Sequence, residues 1–177
     1  MPAKKHIATV VVGAGGAAAI DFTSIPQNGS DLVIELSARQ TESVQLFQTI
    51  SFNGSTSAYV ARSLRGWGGS VSTGAVGANW LDYTLSYATS TANAFSSTGI
   101  HISGYALASP KAVSVNSGTE NNSTSGAASS IVAMEWADNA AITSISLAVS
   151  GGTNKYAEGS TASLYMFTKG SGGASVA

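Results

Sequence analysis

The feature that most constrains the fold of this chain is the alternation of apolar and polar side chains in two neighbouring segments, residues 32–39 and 44–52. The apolar face of the first segment consists of Leu32, Ile34, Leu36 and Ala38. The apolar face of the second consists of Val44, Leu46, Ile50 and Phe52. Because successive side chains leave a pleated strand on opposite sides, this period of two predicts half-buried antiparallel strands. Only residues 40–43 separate them, so we expect a hairpin-like pair.

Shorter runs of strand-like sequence recur along the chain between clusters of Gly, Ser, Asn and Pro. They occupy residues 7–12, 17–22, 59–64, 79–87, 99–107, 111–115, 130–136, 141–149 and 160–167. The dipeptide Asn53-Gly54 predicts a hairpin-type turn. Residues 55–78, rich in Gly and Ser, predict a surface excursion around Trp67. Eight to ten short strands without a helical period predict an all-β fold, a two-sheet antiparallel β-sandwich or jelly roll.

The length of the chain indicates a single domain. All-β units of 177 residues commonly remain undivided, so we expect residues 1–177 to form one β-sandwich. Residues 1–5 and 169–177 are expected to be flexible or partner-contacting termini. The apolar run 7–12 resembles a signal peptide at first sight, but it is short, β-branched and interrupted by Gly13, which favours a strand.

The charge content is low and narrows the range of partners. Charged residues make up 10% of the chain, whereas about a quarter is usual. The surface must therefore consist of small polar residues, or other subunits must cover part of it. The net charge of −1 and the scattered basic residues indicate no nucleic-acid partner. No stretch approaches the ~18 consecutive apolar residues of a membrane span, so no membrane partner is expected.

The motifs that could support chemistry are weak. The segment 13–18, GAGGAA, imitates a dinucleotide-binding fingerprint, but Asp21 and Pro26 leave no room for the helix that such a site needs. A small-residue turn is the better interpretation, and no cofactor is expected. His6 and His101 lie on different predicted strands, there is no cysteine, and no ligand spacing suggests a metal site. We expect no enzymatic activity; a hydrolytic jelly roll would require a carboxylate pair in a groove.

One segment contains candidate recognition residues. Arg62, Arg65 and Trp67 lie in the sequence ARSLRGWGGS, where an exposed aromatic side chain could stack on a sugar ring or on a neighbouring protein. The structural alternative is that Trp67 folds back over an edge of the sandwich. Trp80 and Trp136 lie on strand-like segments and are expected in the core or in an interface.

Several blocks of sequence resemble a family of bacteriophage virion proteins with a jelly-roll fold. The matching blocks are IDFTSIPQ at 20–27, DLV at 31–33, SAR at 37–39, FNG at 52–54, ITSI at 142–145, GS at 159–160 and LY at 164–165. The middle of the chain, residues 55–139, departs freely from the family pattern. The blocks are structural rather than catalytic, so the resemblance implies a jelly roll and a place in the virion, on the head or on the tail.

The resemblance and the composition together predict a non-enzymatic structural protein of a bacteriophage particle. We expect a capsid cement or decoration protein on the outer capsid surface, made in the host cytoplasm. Its partners are expected to be the major capsid protein and further copies of itself, as a homotrimer at local threefold positions. The alternative is a tail or fibre-associated host-recognition or carbohydrate-binding module, which would bind a host-surface glycan through Arg62, Arg65 and Trp67.

Overall fold

The structure, a computed structural model, describes residues 3–77, 79–82, 85–119 and 128–168. The strands of this part of the chain are β1 Lys4–Val11, β2 Ala19–Phe22, β3 Gly29–Ala38, β4 Gln48–Phe52, β5 Tyr59–Trp67, β6 Ser70–Ala75, β7 Trp80–Asp82, β8 Ser96–Ile102, β9 Lys111–Thr119, β10 Ala128–Trp136, β11 Ile145–Val149 and β12 Thr161–Thr168. They confirm the all-β, antiparallel two-sheet fold. The described residues form no helix long and apolar enough to cross a lipid bilayer.

The strand pairing is that of a jelly roll with two insertions. The larger sheet has the order β1-β12-β3-β8-β9-β10-β5-β6, and the smaller sheet has the order β2-β11-β4-β7. Strand β1 pairs with β12, β2 with β11, β3 with β8 and β4 with β7, so the pairs are nested from the outside inward. This nesting is what a long hairpin rolled into two sheets produces. The inserted strands β5–β6 and β9–β10 extend the larger sheet, which is why twelve strands replace the expected eight to ten.

The core lies between the inner faces of the two sheets. The predicted apolar face of β3 is confirmed, since Leu32, Ile34, Leu36 and Ala38 are all buried. The smaller sheet contributes Ile20, Phe22, Ile50, Phe52, Ile145, Leu147 and Val149, all buried. Each such side chain stabilises the fold by roughly 1.5–3 kcal/mol relative to an exposed one. The expected core position of Trp136 on β10 is also confirmed, and Val132 and Met134 on the same side of the strand are buried with it.

The expected hairpin-like pair is wrong. Strand β3 pairs with β12 and β8 in the larger sheet, whereas β4 pairs with β11 and β7 in the smaller one. The two apolar faces therefore meet across the core rather than side by side. Alternation identifies which face of a strand is buried, and it contains no information about which strand lies beside it.

The boundaries of several predicted segments also change. The second alternating segment begins as a strand only at Gln48. Val44 lies at the end of a series of bends, is exposed, and accepts a hydrogen bond on its carbonyl from the Gln40 side chain (2.9 Å). Strand β1 starts at Lys4, so the last residues of the expected flexible arm lie in the sheet. Of the described residues in the strand expected at 79–87, those of β7 form a strand, and residues 83–84 lie outside the described residues. Residues 1–2 and 169–177 lie outside the described residues.

Candidate functional site

The broadest accessible surface of regular structure is the side of the larger sheet that faces away from the smaller sheet, here called the outer face. One row of directly paired residues crosses all eight strands of this face: Thr9, Ser163, Glu35, Gly99, Asn116, Ile131, Leu64 and Thr73. The next row is Val11, Thr161, Ser37, Ser97, Gly118, Ser129, Gly66 and Val71. Glu35 is the only charged residue in these two rows, which otherwise present small or aliphatic neutral groups; other rows of the face include Arg62 on β5 and Glu135 on β10.

The end of the outer face at β1 and β12 is polar and aromatic. The Lys4 ammonium group donates a hydrogen bond to the Glu35 carboxylate and lies 4.0 Å from the Tyr165 ring centroid. The His6 ring meets the same tyrosine edge to face, with centroids 5.5 Å apart. The Thr9 hydroxyl lies 2.8 Å from both His6 Nε2 and Ser163 Oγ. These side chains satisfy one another, which leaves a solvated but internally paired edge.

The middle of the outer face is shallow because its side chains are small. Two depressions, of about 370 Å³ and 520 Å³, share Ser97 and Gly99 in their lining. Ser37 and Thr161 also line the smaller depression, and Asn116, Gly118 and Ser129 also line the larger one. Apart from Glu35, which lines the smaller depression and is paired with Lys4, this floor presents hydroxyl, amide and backbone groups. It fits an extended contact with another macromolecule better than a deep pocket for a small ligand.

The end of the outer face at β10, β5 and β6 is apolar. Leu64 and Ile131 are directly paired and are 47% and 57% exposed. Val71 on β6 is 73% exposed, and Val60 is also exposed. Leu64, Ile131 and Val71 line a third depression of about 310 Å³. A contiguous group of exposed aliphatic residues on a strand surface marks a contact site more often than it marks neutral surface.

The predicted recognition residues all lie on β5, but they do not form one patch. Arg62 is exposed on the outer face, where it pairs with Ala133 and Ala75. Arg65 and Trp67 lie on the opposite side of the strand, opposite Ser130 and Ala128. Trp67 is 41% exposed. The surface excursion expected around Trp67 is wrong, because Trp67 is the last residue of β5 and pairs with Ser70 across a tight two-residue turn.

The other features that were considered for chemistry are the small-residue segment 13–18 and the histidines. The small-residue turn at 13–18 is confirmed by a hydrogen bond from the Gly16 N–H to the Gly13 carbonyl (3.2 Å). His101 is exposed on β8, with its ring centroid 6.5 Å from that of Phe167. Within the described part of the chain, no three His, Asp or Glu side chains stand close enough together to hold a metal ion.

A buried lysine on β9 is a feature that sequence reasoning missed. Lys111 is fully buried at the start of β9, where its ammonium group donates to the Ser109 carbonyl and lies 5.8 Å from the Trp136 ring centroid. Burial lowers the pKa of Lys111, and the Asp138 carboxylate partly opposes that effect. A nearby depression of about 440 Å³ is lined by Asp31, Gly104 and Leu107 among others, and the Asp31 carboxylate there accepts a hydrogen bond from the Gly104 N–H (2.9 Å).

The apolar end of the outer face was missed by sequence reasoning. A signal for it exists, because Val60 and Ile131 are apolar residues at positions where alternation calls for polar ones. Fold and surface together define an all-β jelly-roll protein whose most extensive surface feature is the outer face of an eight-stranded sheet, which has few charged residues. Comparisons with protein-family models, with curated proteins and with solved structures find no match.

Proposed function

We propose that this protein is a non-enzymatic structural component of a bacteriophage particle, a cement or decoration protein that binds the outer surface of the head. The observation that supports the proposal best is the outer face, which crosses eight strands and has one charged residue in the two neighbouring rows that pass through Glu35 and Ser37. The resemblance of blocks such as residues 20–27 and 52–54 to phage jelly-roll proteins supports the virion setting.

A neutral, shallow face is suited to lasting burial against another protein. The centres of protein–protein interfaces are depleted of charged residues, because each buried charge must lose its hydration. Ser97, Gly118 and Ser129 let a partner approach the backbone closely, and the apolar group around Leu64 adds a hydrophobic contribution. The proposed partner is the major capsid protein.

The proposed mechanism is stabilisation by mass action. A protein that binds the assembled shell but not its separated subunits stabilises the shell by about 2.7 kcal/mol per site at a free concentration of about 100 Kd. Copies are proposed to act as a homotrimer at local threefold positions, so that each assembly bridges adjacent capsomers. The low charge of the chain, 10% of residues, favours such self-association.

The test uses heads from particles that lack this protein, to which the purified protein is added back. We expect saturable binding and a higher temperature of head rupture. Asn116→Arg, which places a charge in the middle of the outer face, should abolish both effects. The matched control is Asn139→Arg, at an exposed loop position outside the outer face, which should behave as the wild type. Heads that rupture at the same temperature with and without bound protein would contradict the proposal.

The second candidate is a tail or fibre-associated module that recognises a host-surface glycan. Trp67 favours it, because its ring is 41% exposed beside Arg65 at the end of a β-hairpin, and an exposed indole can stack on a sugar. Binding of labelled protein to host cells that disappears in Trp67→Ala but persists in Asn116→Arg would favour this candidate over cement. The homotrimer is tested on heads with bound protein, by imaging whether three copies surround each local threefold position.

A further inference from the structure

Strand β6 is an open edge of the larger sheet. It pairs with β5 alone, through an unbroken register from Arg62 opposite Ala75 to Trp67 opposite Ser70. All six of its residues, Ser70 to Ala75, are exposed. The hairpin that joins the two strands turns through Gly68, whose φ of 54° is the left-handed value that a type II′ turn needs at its first central position. The pairing of β6 with β5 is therefore regular along the whole length of the edge.

Hairpin geometry determines which backbone groups of β6 face outward. In a two-residue hairpin the closing pair, Trp67 and Ser70, is a hydrogen-bonded pair, and hydrogen-bonded and non-bonded pairs then alternate along the strands. Val71, Thr73 and Ala75 consequently turn their N–H and C=O groups away from β5. These groups form a row of alternating donors and acceptors along the open edge, ready for another strand.

The other sheet edges of the described chain are protected or short. Strand β1 has Lys4 and Lys5 at its start and a register shift between His6 and Ala8, and both charge and bulges discourage the addition of a strand. Strands β2 and β7, at the edges of the smaller sheet, have four and three residues. Strand β6, in contrast, has no charged residue, no proline and no bulge.

We propose that β6 pairs antiparallel with β6 of a second copy of this chain. The two copies are related by a twofold axis that is normal to the sheet and passes midway between Thr73 and the partner's Thr73. This register uses all the outward-facing backbone groups and allows about six hydrogen bonds between the strands. It places Thr73 opposite the partner's Thr73 and Val71 opposite the partner's Ala75. A second copy fits because the uncharged strand meets itself without like-charge repulsion, whereas β1 of another copy would bring its lysines and its bulge against the edge.

The pairing also continues the apolar end of the outer face. Thr73 lies opposite Leu64, and Leu64 lies opposite Ile131. Across the proposed axis the row continues through the partner's Thr73, the partner's Leu64 and the partner's Ile131. The exposed aliphatic side chains of the two copies therefore lie on both sides of the contact between the two β6 strands. Two eight-stranded sheets become one continuous sheet. The inference concerns the free protein and does not require the shell; in a homotrimer the same contact would link one trimer to the next.

The experiment measures the mass of the free protein by analytical ultracentrifugation over a roughly hundredfold range of concentration. We expect reversible association that doubles the mass. Val71→Lys should raise the dissociation constant by at least about tenfold, because each added lysine places a charge on the edge strand opposite the partner's Ala75, where it loses hydration on pairing. The matched control is Val11→Lys, which places the same change on the same face at the opposite edge, where Val11 is 63% exposed. It should leave the dissociation constant unchanged.

A second variant tests the backbone contribution. Thr73→Pro removes one outward-facing N–H from the edge and should weaken association while thermal unfolding of the free protein remains cooperative. A wild type with constant mass at all concentrations, or association lost in Val11→Lys rather than in Val71→Lys, would overturn the inference. A constant mass combined with head binding that Val71→Lys abolishes would assign the edge to a shell protein instead. If the protein binds heads but does not dimerise in solution, this inference is wrong and the proposed function stands. The two ideas can therefore fail separately.

Discussion

Among single residues, Tyr59 connects the two sheets through its hydroxyl group. It lies on β5 of the larger sheet, yet its oxygen accepts a hydrogen bond from the N–H of Phe52 on β4 (2.8 Å) and donates one to the Ser55 carbonyl (3.2 Å). Its ring stacks on that of Trp136, with centroids 6.2 Å apart. Burial raises the pKa of Tyr59 to about 12, the Asp138 carboxylate adds to that effect, and the Phe52 hydrogen bond opposes it.

The raised pKa predicts a loss of stability at alkaline pH. A tyrosine with a folded-state pKa above its unfolded value contributes stability below about pH 10 that disappears as the pH rises towards about 12. Allowing for partial solvent screening, the Tyr59 share is about 1–2 kcal/mol. Tyr59→Phe should cost about 1–3 kcal/mol at pH 7, because the Phe52 N–H loses its partner, and should flatten the alkaline decline. Urea unfolding at pH 8 and pH 11 measures both; an unchanged alkaline slope would contradict the assignment.

Arg39 shows what sequence reasoning cannot reach at the same scale. Alternation places it on the polar side of the segment 32–39, which is correct as far as it goes. Its guanidinium group donates to four carbonyls of one loop, those of Ala88, Ser90, Thr91 and Ala94, at 2.7–3.1 Å. The loop lies about fifty residues further along the chain, and no local sequence pattern in either segment predicts the contact.

Among the elements, the turn after β4 reverses the chain direction and also binds the segment that leads into β11. Asn53 and Gly54 have φ values of 52° and 74°, which confirms the turn expected from this dipeptide. The Asn53 side chain also accepts hydrogen bonds from the N–H groups of Thr143 and Ser144 (2.8 and 3.1 Å) and donates to the Ala141 carbonyl (2.8 Å). The turn thus holds the segment that leads into β11, its neighbour in the smaller sheet.

Substitutions at Asn53 separate the two roles. Asn53→Gly keeps the left-handed backbone accessible and removes the side-chain hydrogen bonds, so it should destabilise the protein by about 1–3 kcal/mol. Asn53→Ala removes the same bonds and adds the cost of a left-handed residue with a Cβ atom, about 1 kcal/mol more. Urea denaturation measures the difference. Equal stability of the two variants would mean that the turn conformation contributes nothing beyond the hydrogen bonds.

The sequence blocks on which the proposed relation to phage proteins rests meet one another in space. Asn53 of the block 52–54 binds the block 142–145, as described, and Ile25 of the block 20–27 donates its N–H to the Thr143 carbonyl (3.0 Å). The Ser160 hydroxyl donates to the Arg39 carbonyl and accepts from the Arg39 N–H (3.2 and 3.1 Å). These motifs therefore hold the ends of strands together, which explains why sequence reasoning found the fold but located no site in them.

At the scale of the whole molecule, the class of fold was predictable and the topology was not. Alternation and turn residues suffice for strands and for their buried faces, because both are properties of a few neighbouring residues. The pairing of β1 with β12 joins residues at opposite ends of the chain, and the extension of the larger sheet by β9, β10, β5 and β6 depends on equally distant contacts. The outer face arises from that extension, so it could not be seen before the strands were ordered.

The nested topology makes one end of the chain indispensable and the other dispensable. Strand β12 lies between β1 and β3 and buries Ala162, Leu164 and Met166, whereas β1 is an edge strand that pairs with β12 alone. A chain that starts at Val12 should still unfold cooperatively in urea, with reduced stability. A chain that ends at Gly159 should not fold, because β3 loses its neighbour and the core opens along its length. Near-UV circular dichroism and urea titration compare the two. Cooperative unfolding of the chain that ends at Gly159 would show that the larger sheet forms without β12.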